Sequence, residues 1–418
     1  MENRVINKER KFKVVQIQYS TSSGGNSAFR LQTAFHNTII DSKIVSLHND
    51  DFGGKIGITY LGRTARMVGQ IDADIQSFLN RKNIKKYGLF SYPVLGTNIA
   101  NLEEIKQADV IYIHWALGGF LNFRSIRQLA KLKIPIIVIM HDMWPFTGGC
   151  HYSFTCEKYI TECNDCQMFQ GHKKNDLSFK EFKKKLDIYS KFDNLYFVSP
   201  SQWLLNCAKE SFLLKEKPIF YIPNAIDNKL FKPFDKNVAK NILNIDVNDT
   251  VIAFGAMKVD NPYKGWSYLQ KALNILKQKN DLKNVTILIF GSAHNKKMAD
   301  EIPYKTHFMG RLSDDYSINL AYNAADVFVV PSLADNQPTT VVESMCCGTA
   351  VVGFNVGGIP DMISHKENGY LAKYLDAEDI ANGIKFCIEN KIKGKLLPVF
   401  ERATVVRKHI ELINSIVN

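Results

Sequence analysis

AADVFVVPSLADNQPTTVVESMCCGTAVVGFNVGGIPDMI, residues 324 to 363, decides the fold. An apolar run from Val327 to Val330 reaches Pro331-Ser332. A polar loop follows, then a short helical stretch with Glu343, then a second apolar run from Ala350 to Phe354 that empties into Gly357-Gly358. Asp335 and Glu343 stand eight residues apart, one on the loop and one on the helix. Both fall where the strands' carboxyl ends emerge, the crevice in which open α/β sheets bind ligands. The unit reads as a pocket for a polyhydroxylated, phosphate-bearing ligand.

Outward from this unit, short apolar runs alternate with longer helical stretches. The strand candidates are Phe12–Ile17, Lys43–Leu47, Asp109–His114, Pro135–Met140, Leu195–Val198, Ile219–Ile222, Val251–Phe254 and Val285–Phe290, besides the two already quoted. Several are apolar on both faces, which suits a parallel sheet covered by helices, and the alternation predicts doubly wound α/β architecture. Pro223 to Asp249 is the stretch poorest in periodic pattern, rich in Asn, Asp and Pro. The predicted organisation is a first Rossmann-like domain over 1–225 with a cysteine-rich insert at 148–172, a linker over 226–249, a second Rossmann-like domain over 250–397, and a terminal helix over 398–418.

A chain of 418 residues suits two domains of about 100–200 residues each. With 45% hydrophobic and 22% charged residues the composition is that of a globular enzyme, not of a disordered chain. No apolar run approaches the ~20 residues of a membrane span. The start, MENRVINKERKFK, lacks the apolar core of a signal peptide, so the expected location is cytoplasmic, associated with the inner face of the membrane. The eight cysteines are then expected to be reduced. The net charge of +12 fits anionic ligands near an anionic surface. No nucleic-acid module accompanies it, and nucleic acid is not an expected partner.

Asp335, seven residues, Glu343, and then Gly348-Thr349-Ala350-Val351-Val352 resembles the signature of the retaining glycosyltransferases of family 4, the glycosyl transferases of group 1. Their motif is Glu, seven residues, Glu, followed by Gly-x-Pro-Val-Val. Here Asp335 takes the first position, one methylene shorter. The resemblance implies a GT-B fold, two Rossmann-like domains facing a central cleft. The first domain would bind acceptor and the second a nucleotide diphosphate-sugar, with no catalytic cofactor. The terminal helix would cross back to the first domain.

The resemblance also assigns roles. Glu343 would accept hydrogen bonds from the two ribose hydroxyls, since a carboxylate offers two acceptor oxygens. Local sequence alone reads Thr340-Val341-Val342-Glu343 as a capping box. Asp335 would contact the donor sugar, or else solvate its loop. Lys264-Gly265 matches the family's diphosphate-holding pair, and a leaving diphosphate needs a fixed cation. The family's Arg is replaced by Ala256, with Lys258 as a substitute cation or a solvated loop lysine. Gly24-Gly25, after the first strand, matches a loop whose amides approach phosphate, and glycine there also serves turn geometry. His141, at a strand's carboxyl end, would contact the donor sugar, or else be a buried, satisfied histidine. Gly357 and Gly358 match a donor-side loop. His141, Asp335 and Lys264 are thus the expected catalytic residues. Gly24, Gly25, Lys258, Lys264, Glu343, Gly357 and Gly358 are the expected donor-binding ones.

Cys150, Cys156, Cys163 and Cys166 are spaced x5, x6 and x2. Cys163-x-x-Cys166 has the spacing of a zinc half-site, and the four predict a structural zinc. Two disulfides or separate buried thiols are the other readings. From His172 to Lys191 seven lysines accompany Phe179, Phe182, Leu186 and Tyr189 at helical spacing. That is either a helix packed on its own domain or a basic helix lying on a membrane. Asp72-Ala73-Asp74 is read as incidental.

The expected function is transfer of a sugar, with retained configuration, from a nucleotide diphosphate-sugar to a hydroxyl of a surface-polysaccharide or lipid-linked saccharide. A non-catalytic nucleotide-sugar-binding subunit and a GT-B phosphorylase or epimerase are the alternatives.

Overall fold

The structure, a computed structural model, describes residues 11–21, 27–48, 57–81, 88–171, 173–256, 262–291, 299–312 and 314–417. Two parallel sheets organise the chain. The first holds β1 (Phe12–Ser20), β2 (Ile40–His48), β3 (Ile58–Tyr60), β4 (Val110–Ile113), β5 (Ile136–Ile139), β6 (Leu195–Ser199) and β7 (Ile219–Tyr221), in the order β3-β2-β1-β4-β5-β6-β7. The second holds β8 (Thr250–Gly255), β9 (Val285–Phe290), β10 (Lys305–Gly310), β11 (Val327–Val330), β12 (Ala350–Phe354) and β13 (Gly369–Ala372), in the order β10-β9-β8-β11-β12-β13. Every named strand pair is parallel.

Strand side chains alternate between two buried faces. Val15 and Ile17 enter one core of the first sheet and Val14 the other. Val251 and Ala253 face one core of the second sheet, Ile252 and Phe254 the other. Helices cover both faces, so these strands have no polar side and read as continuous apolar runs. In the first domain the connecting helices include α1 (Ser27–Phe35), α2 (Arg63–Asn80), α3 (Glu103–Lys106), α4 (Phe123–Ala130), α5 (Leu177–Lys191) and α6 (Gln202–Glu210). The second part of the chain carries α7 (Lys236–Ile242), α8 (Trp266–Gln278), α9 (Asp315–Ala324), α10 (Thr339–Cys346), α11 (Ala377–Glu389) and α12 (Arg402–Val417). Each sheet reverses its strand order once, between β1 and β4 and between β8 and β11. The crevices at those two points are where this architecture takes ligands.

The structure adds three strands to the ten predicted, β3, β10 and β13, and each lies at an edge of its sheet. Their side chains are mostly half-exposed, so no apolar run marks them. The stretch from Pro223 to Asp249 holds α7, capped by Asp235, whose side chain accepts from the Val238 amide at 2.9 Å. Phe231, Ala239, Leu243 and Ile245 join the core of the second sheet. Lysines and asparagines on a seven-residue helix hid that pattern.

α12 leaves the second domain at Phe400, which lies in the second core. It then buries Val405, Leu412 and Ile413 with Val14, Leu31, Phe35, Tyr112 and Ile137 of the first domain. The Tyr112 hydroxyl lies 3.1 Å from Nδ1 of His409. Truncating a fully buried isoleucine leaves a cavity, so Ile413→Ala should cost about 2–5 kcal/mol in urea unfolding. A cost near zero would mean that α12 does not hold the first domain.

α5 spends its apolar face inside its own domain. Phe182, Ile188 and Tyr189 are buried in the first core. Lys185 donates to the Thr147 carbonyl at 2.9 Å and to that of Trp144, with its ammonium 3.8 Å from the Trp144 ring centre. Burial pushes that ammonium down to about 8. Of the two readings of this helix, packing on its own domain is the one its buried face supports.

The zinc reading finds no support in the structure. Among the described residues no group of three or more His, Cys, Asp or Glu side chains is placed to hold a metal ion. All four cysteines of the insert are free thiols. Cys150 and Cys166 pack against Phe90, Tyr92 and Met168, while Cys163 joins the first core and accepts from the Gly148 amide at 3.1 Å. Burial pushes Cys163 up to about 12 and Cys166 up to about 11, as it does for small side chains packed in a core.

Candidate active site

The loop after β11 brings Asp335 to Lys264. Lys264 closes a short turn, Pro262–Lys264, that leads into α8. Gly265 has φ 70°, and a side chain there would overlap the Pro331 carbonyl. Only glycine lets the two backbones meet so closely, and that approach delivers the lysine. Lys264 Nζ donates to Asp335 Oδ2 at 2.7 Å, and the Ser332 hydroxyl donates to the same oxygen at 3.2 Å. Burial alone would lower the ammonium's pKa. Asp335 outweighs it, and the net shift is upward. Two of the expected catalytic residues are thus one ion pair.

Glu343 is buried, 3% exposed, on α10. It does not close a capping box: the helix starts after Pro338 with no side-chain cap. Oε1 accepts from Arg30 Nη1 at 2.7 Å and Oε2 from the Tyr322 hydroxyl at 2.9 Å. Arg30 comes from α1 of the first domain, and its Nη2 also donates to Asp315 Oδ1 at 3.3 Å. Burial works against its charge, but Glu343 and Asp315 win, and its pKa is raised. Sequence reading missed Arg30 and Tyr322. Their only sequence signal is placement, Arg30 one turn into the helix after the glycine loop and Tyr322 on the helix before β11.

His141 follows the end of β5. Its Nε2 lies 3.2 Å from Ser27 Oγ and 3.2 Å from His114 Nδ1. Gln16 uses its amide nitrogen on Ser42, at 2.9 Å, so its Oε1 accepts from His114 Nε2 at 2.8 Å. His114 then offers a bare Nδ1, and the His141 proton sits on Nε2, facing it. Burial pushes His141 down to about 4 and His114 well below the usual histidine range. Both rings are neutral at pH 7, so His141 can orient a hydroxyl but cannot balance a phosphate charge.

The same end of β5 is pinned to the second domain. Asn336 Nδ2 donates to the carbonyls of Met140, at 3.1 Å, and His141, at 3.0 Å. Its Oδ1 accepts from the Ser201 hydroxyl at 2.5 Å. Gly357 and Gly358 brace this loop from below. The Gly358 amide donates to the Asp335 carbonyl at 3.0 Å, and a side chain on either glycine would overlap the carbonyls of Asp335 or Asn336. Gly24, Gly25 and Lys258 lie outside the described residues. Asp72 is buried and accepts from the Val94 and Leu95 amides at 3.1 and 2.7 Å, a structural use.

The depressed histidine has a consequence for stability. The unfolded chain protonates His141 near 6.5 and the folded chain near 4, so the unfolded state binds more protons in between. Stability present above pH 6.5 is therefore lost as pH falls toward 4, on the order of 3 kcal/mol through this group. Urea titrations at pH 7 and 4.5 should show His141→Gln with a smaller pH difference than the parent chain. Equal differences would contradict the buried neutral assignment.

Comparison with known proteins adds the family. Residues 248–390 match the family described as Glycosyl transferases group 1. The D-inositol 3-phosphate glycosyltransferase of Segniliparus rotundus is 29% identical over 161 residues, 36% of this chain and 34% of that one. An uncharacterized glycosyltransferase of Haemophilus influenzae is 29% identical over 34% of this chain and 40% of its own length. The chain thus spans from a third to two fifths of these two relatives, at 34% and 40%. The N-acetyl-alpha-D-glucosaminyl L-malate synthase of Bacillus anthracis is 20% identical over 73% of each chain. Among solved structures, HepE of Anabaena in complex with UDP and glucose superposes with a TM-score of 0.60 at 14% identity, covering 97% of this chain and 100% of that one. Sucrose-phosphate synthase from Thermosynechococcus elongatus gives 0.62 at 15% identity, over 97% and 99%. The second domain therefore carries the Glycosyl transferases group 1 sequence, and the whole chain has the two-domain GT-B fold.

Proposed function

We propose that the chain is a retaining glycosyltransferase of the family 4 type, moving a sugar from a nucleotide diphosphate-sugar to a hydroxyl of a surface-polysaccharide or lipid-linked saccharide. The observation that carries this reading is the Lys264–Asp335 pair on the loops that follow β8 and β11, together with a buried Glu343 on α10. The group 1 match over that domain and the UDP and glucose in the Anabaena neighbour support it.

In this reading Glu343 takes the ribose diol and Lys264 neutralises the diphosphate as it departs. Asp335, oriented by Lys264 and Ser332, accepts from hydroxyls of the donor sugar. His141, its Nε2 proton held by His114 Nδ1, offers its other ring nitrogen as an acceptor to a sugar hydroxyl. The acceptor hydroxyl attacks the anomeric carbon from the face the diphosphate leaves. The carbon–oxygen bond to phosphate breaks, and the acceptor's proton passes to the departing phosphate oxygen. A fixed cation in a water-poor cleft stabilises that developing charge far more than one in water.

A thermal-shift panel of nucleoside diphosphates and nucleotide sugars tests the donor site. A ligand at 100 times its dissociation constant should stabilise the chain by about 2.7 kcal/mol. Lys264→Ala should lower turnover by about 10²–10³-fold, the scale of losing one preorganised charge partner. Full turnover in that variant would remove Lys264 from the chemistry. Donor binding with no transfer would favour the nucleotide-sugar-binding subunit.

Lipid contact is assigned to α2. No helix among the described residues is long and apolar enough to cross a membrane. On α2, Met67, Ile71 and Phe78 are 59%, 50% and 59% exposed, and their spacing places them along one outward stripe. Arg63, Arg66 and Arg81 are exposed beside it. Asp74 is exposed within the same stripe, between Ile71 and Phe78, so the apolar side chains and the arginines at its edges carry the contact with an anionic lipid surface. Phe78→Glu should therefore reduce sedimentation with phosphatidylglycerol vesicles. Equal sedimentation of variant and parent would overturn this assignment.

A further inference from the structure

We infer that a small apolar cavity in the first domain is an acceptor subsite for an N-acetylated sugar, with the acetamido methyl inside and its N–H on Asp142. The inference rests on the transferase reading above, in which the first domain meets the acceptor. The cavity measures about 60 Å³ and lies between β4, β5 and β6 and the helices α4 and α5. Ile126, Val138, Trp115 and Trp144 line it, together with His141 and Asp142. Val138 pairs with Ile113 on one side and Phe197 on the other, in the middle of the sheet, yet it is only half-buried. A central strand residue keeps exposed surface when no side chain of its own domain fills the space above it. His141, Trp115 and Trp144 are half-buried as well, so the cavity opens at the carboxyl end of the sheet. His141 also serves the donor reading, which places the cavity next to the donor sugar.

Size and chemistry select the occupant. An apolar cavity of about 150 Å³ takes benzene. One of about 60 Å³ takes a methyl group and the carbon that carries it, not a prenyl or acyl chain. Asp142 supplies a charge in this otherwise apolar lining. Burial works against that charge, but His151, the Trp144 amide and His141 outweigh it, and the net pKa shift is downward. Its Oδ1 accepts from the Trp144 amide at 2.8 Å and its Oδ2 from His151 Nδ1 at 2.6 Å. The other nitrogen of His151 lies 2.9 Å from Ser91 Oγ, which fixes that ring in turn. The carboxylate is thus held in place, and each oxygen keeps a lone pair for one more donor. An apolar pocket with a precisely placed polar group is the usual form of a small-ligand site. An acetamido group offers the matching pair, a methyl beside an N–H. The methyl of a 6-deoxy sugar has no donor next to it. A free amine would bring a charge against an apolar wall and leave the cavity empty.

Saturation-transfer NMR titrations of the full chain test this. The probes are the methyl glycosides of N-acetylglucosamine, N-acetylgalactosamine and N-acetylmannosamine, and the matching sugars with a hydroxyl or a free amine at the same carbon. At least one acetamido sugar should bind about 10-fold or more tightly than its hydroxyl counterpart, the scale on which an apolar pocket discriminates one small group. Its acetyl methyl should take up the strongest saturation. Val138→Phe, which fills the cavity, should erase that preference. If Val138→Phe does not fold, Val138→Ile decides, since it adds a single methylene to the cavity wall, and the preference should narrow several-fold. Equal binding of acetamido and hydroxyl sugars, tighter binding of the amine, no binding of any acetamido sugar, or a preference that survives in the folded variant would overturn the inference. Nucleoside diphosphates titrated into the same samples keep the two readings apart. A chain that binds a diphosphate and shows no acetamido preference sinks only the subsite. An acetamido preference with no diphosphate bound supports the pocket and sinks the donor reading.

Discussion

A buried polar loop needs partners for its side chains, and the loop from Pro331 to Pro338 takes them from both domains. Asn336 reaches the backbone after β5 and the Ser201 hydroxyl in the first domain. Gln337 Oε1 accepts from the Asn224 amide at 2.8 Å. Asp335 turns the other way, to Lys264 and Ser332. Removing any of these partners would strand a further polar group beside Gln337 Nε2, which is buried without a partner. The arrangement presents a carboxylate and an ammonium, already paired, at the mouth of the second sheet. The preorganisation that transfer chemistry needs is thus a by-product of satisfying a buried loop.

Much of this architecture was legible in the residues. The central strands carry Val, Ile and Phe on both faces, and their positions stood out in the sequence for that reason. Edge strands such as Lys305–Gly310 are half-exposed and look like polar loop. At the site, Lys264, Asp335 and Glu343 were found through a motif, and the structure brings the first two into contact. Arg30 escaped notice because its partner lies 313 residues away, a separation that no local pattern encodes. The cysteine spacing suggested a metal because spacing alone does not say whether neighbouring thiols take up a ligand geometry or pack against aromatic rings, as Cys150 and Cys166 do. The basic helix was legible only as two alternatives. Its lysines are conspicuous in sequence, but its aromatic face belongs to the domain core.

Electrostatics divides the labour between the domains. The first domain offers the cleft neutral histidines and one buried arginine, with Asn336 of the second domain holding the backbone of its fifth strand. The second offers carboxylates and a lysine whose charge is stabilised by its partner. In the proposed reading a phosphate-bearing ligand would be gripped mainly by the second domain and met by the first. α12, which buries its apolar residues against the first domain, ties the two halves together.

The most direct test of the central claim is donor turnover with water as acceptor, followed by proton NMR of the released sugar. The account predicts slow hydrolysis of one nucleotide sugar, with the first-formed anomer matching the donor's configuration. No turnover of any nucleotide sugar, or first release of the opposite anomer, would contradict it.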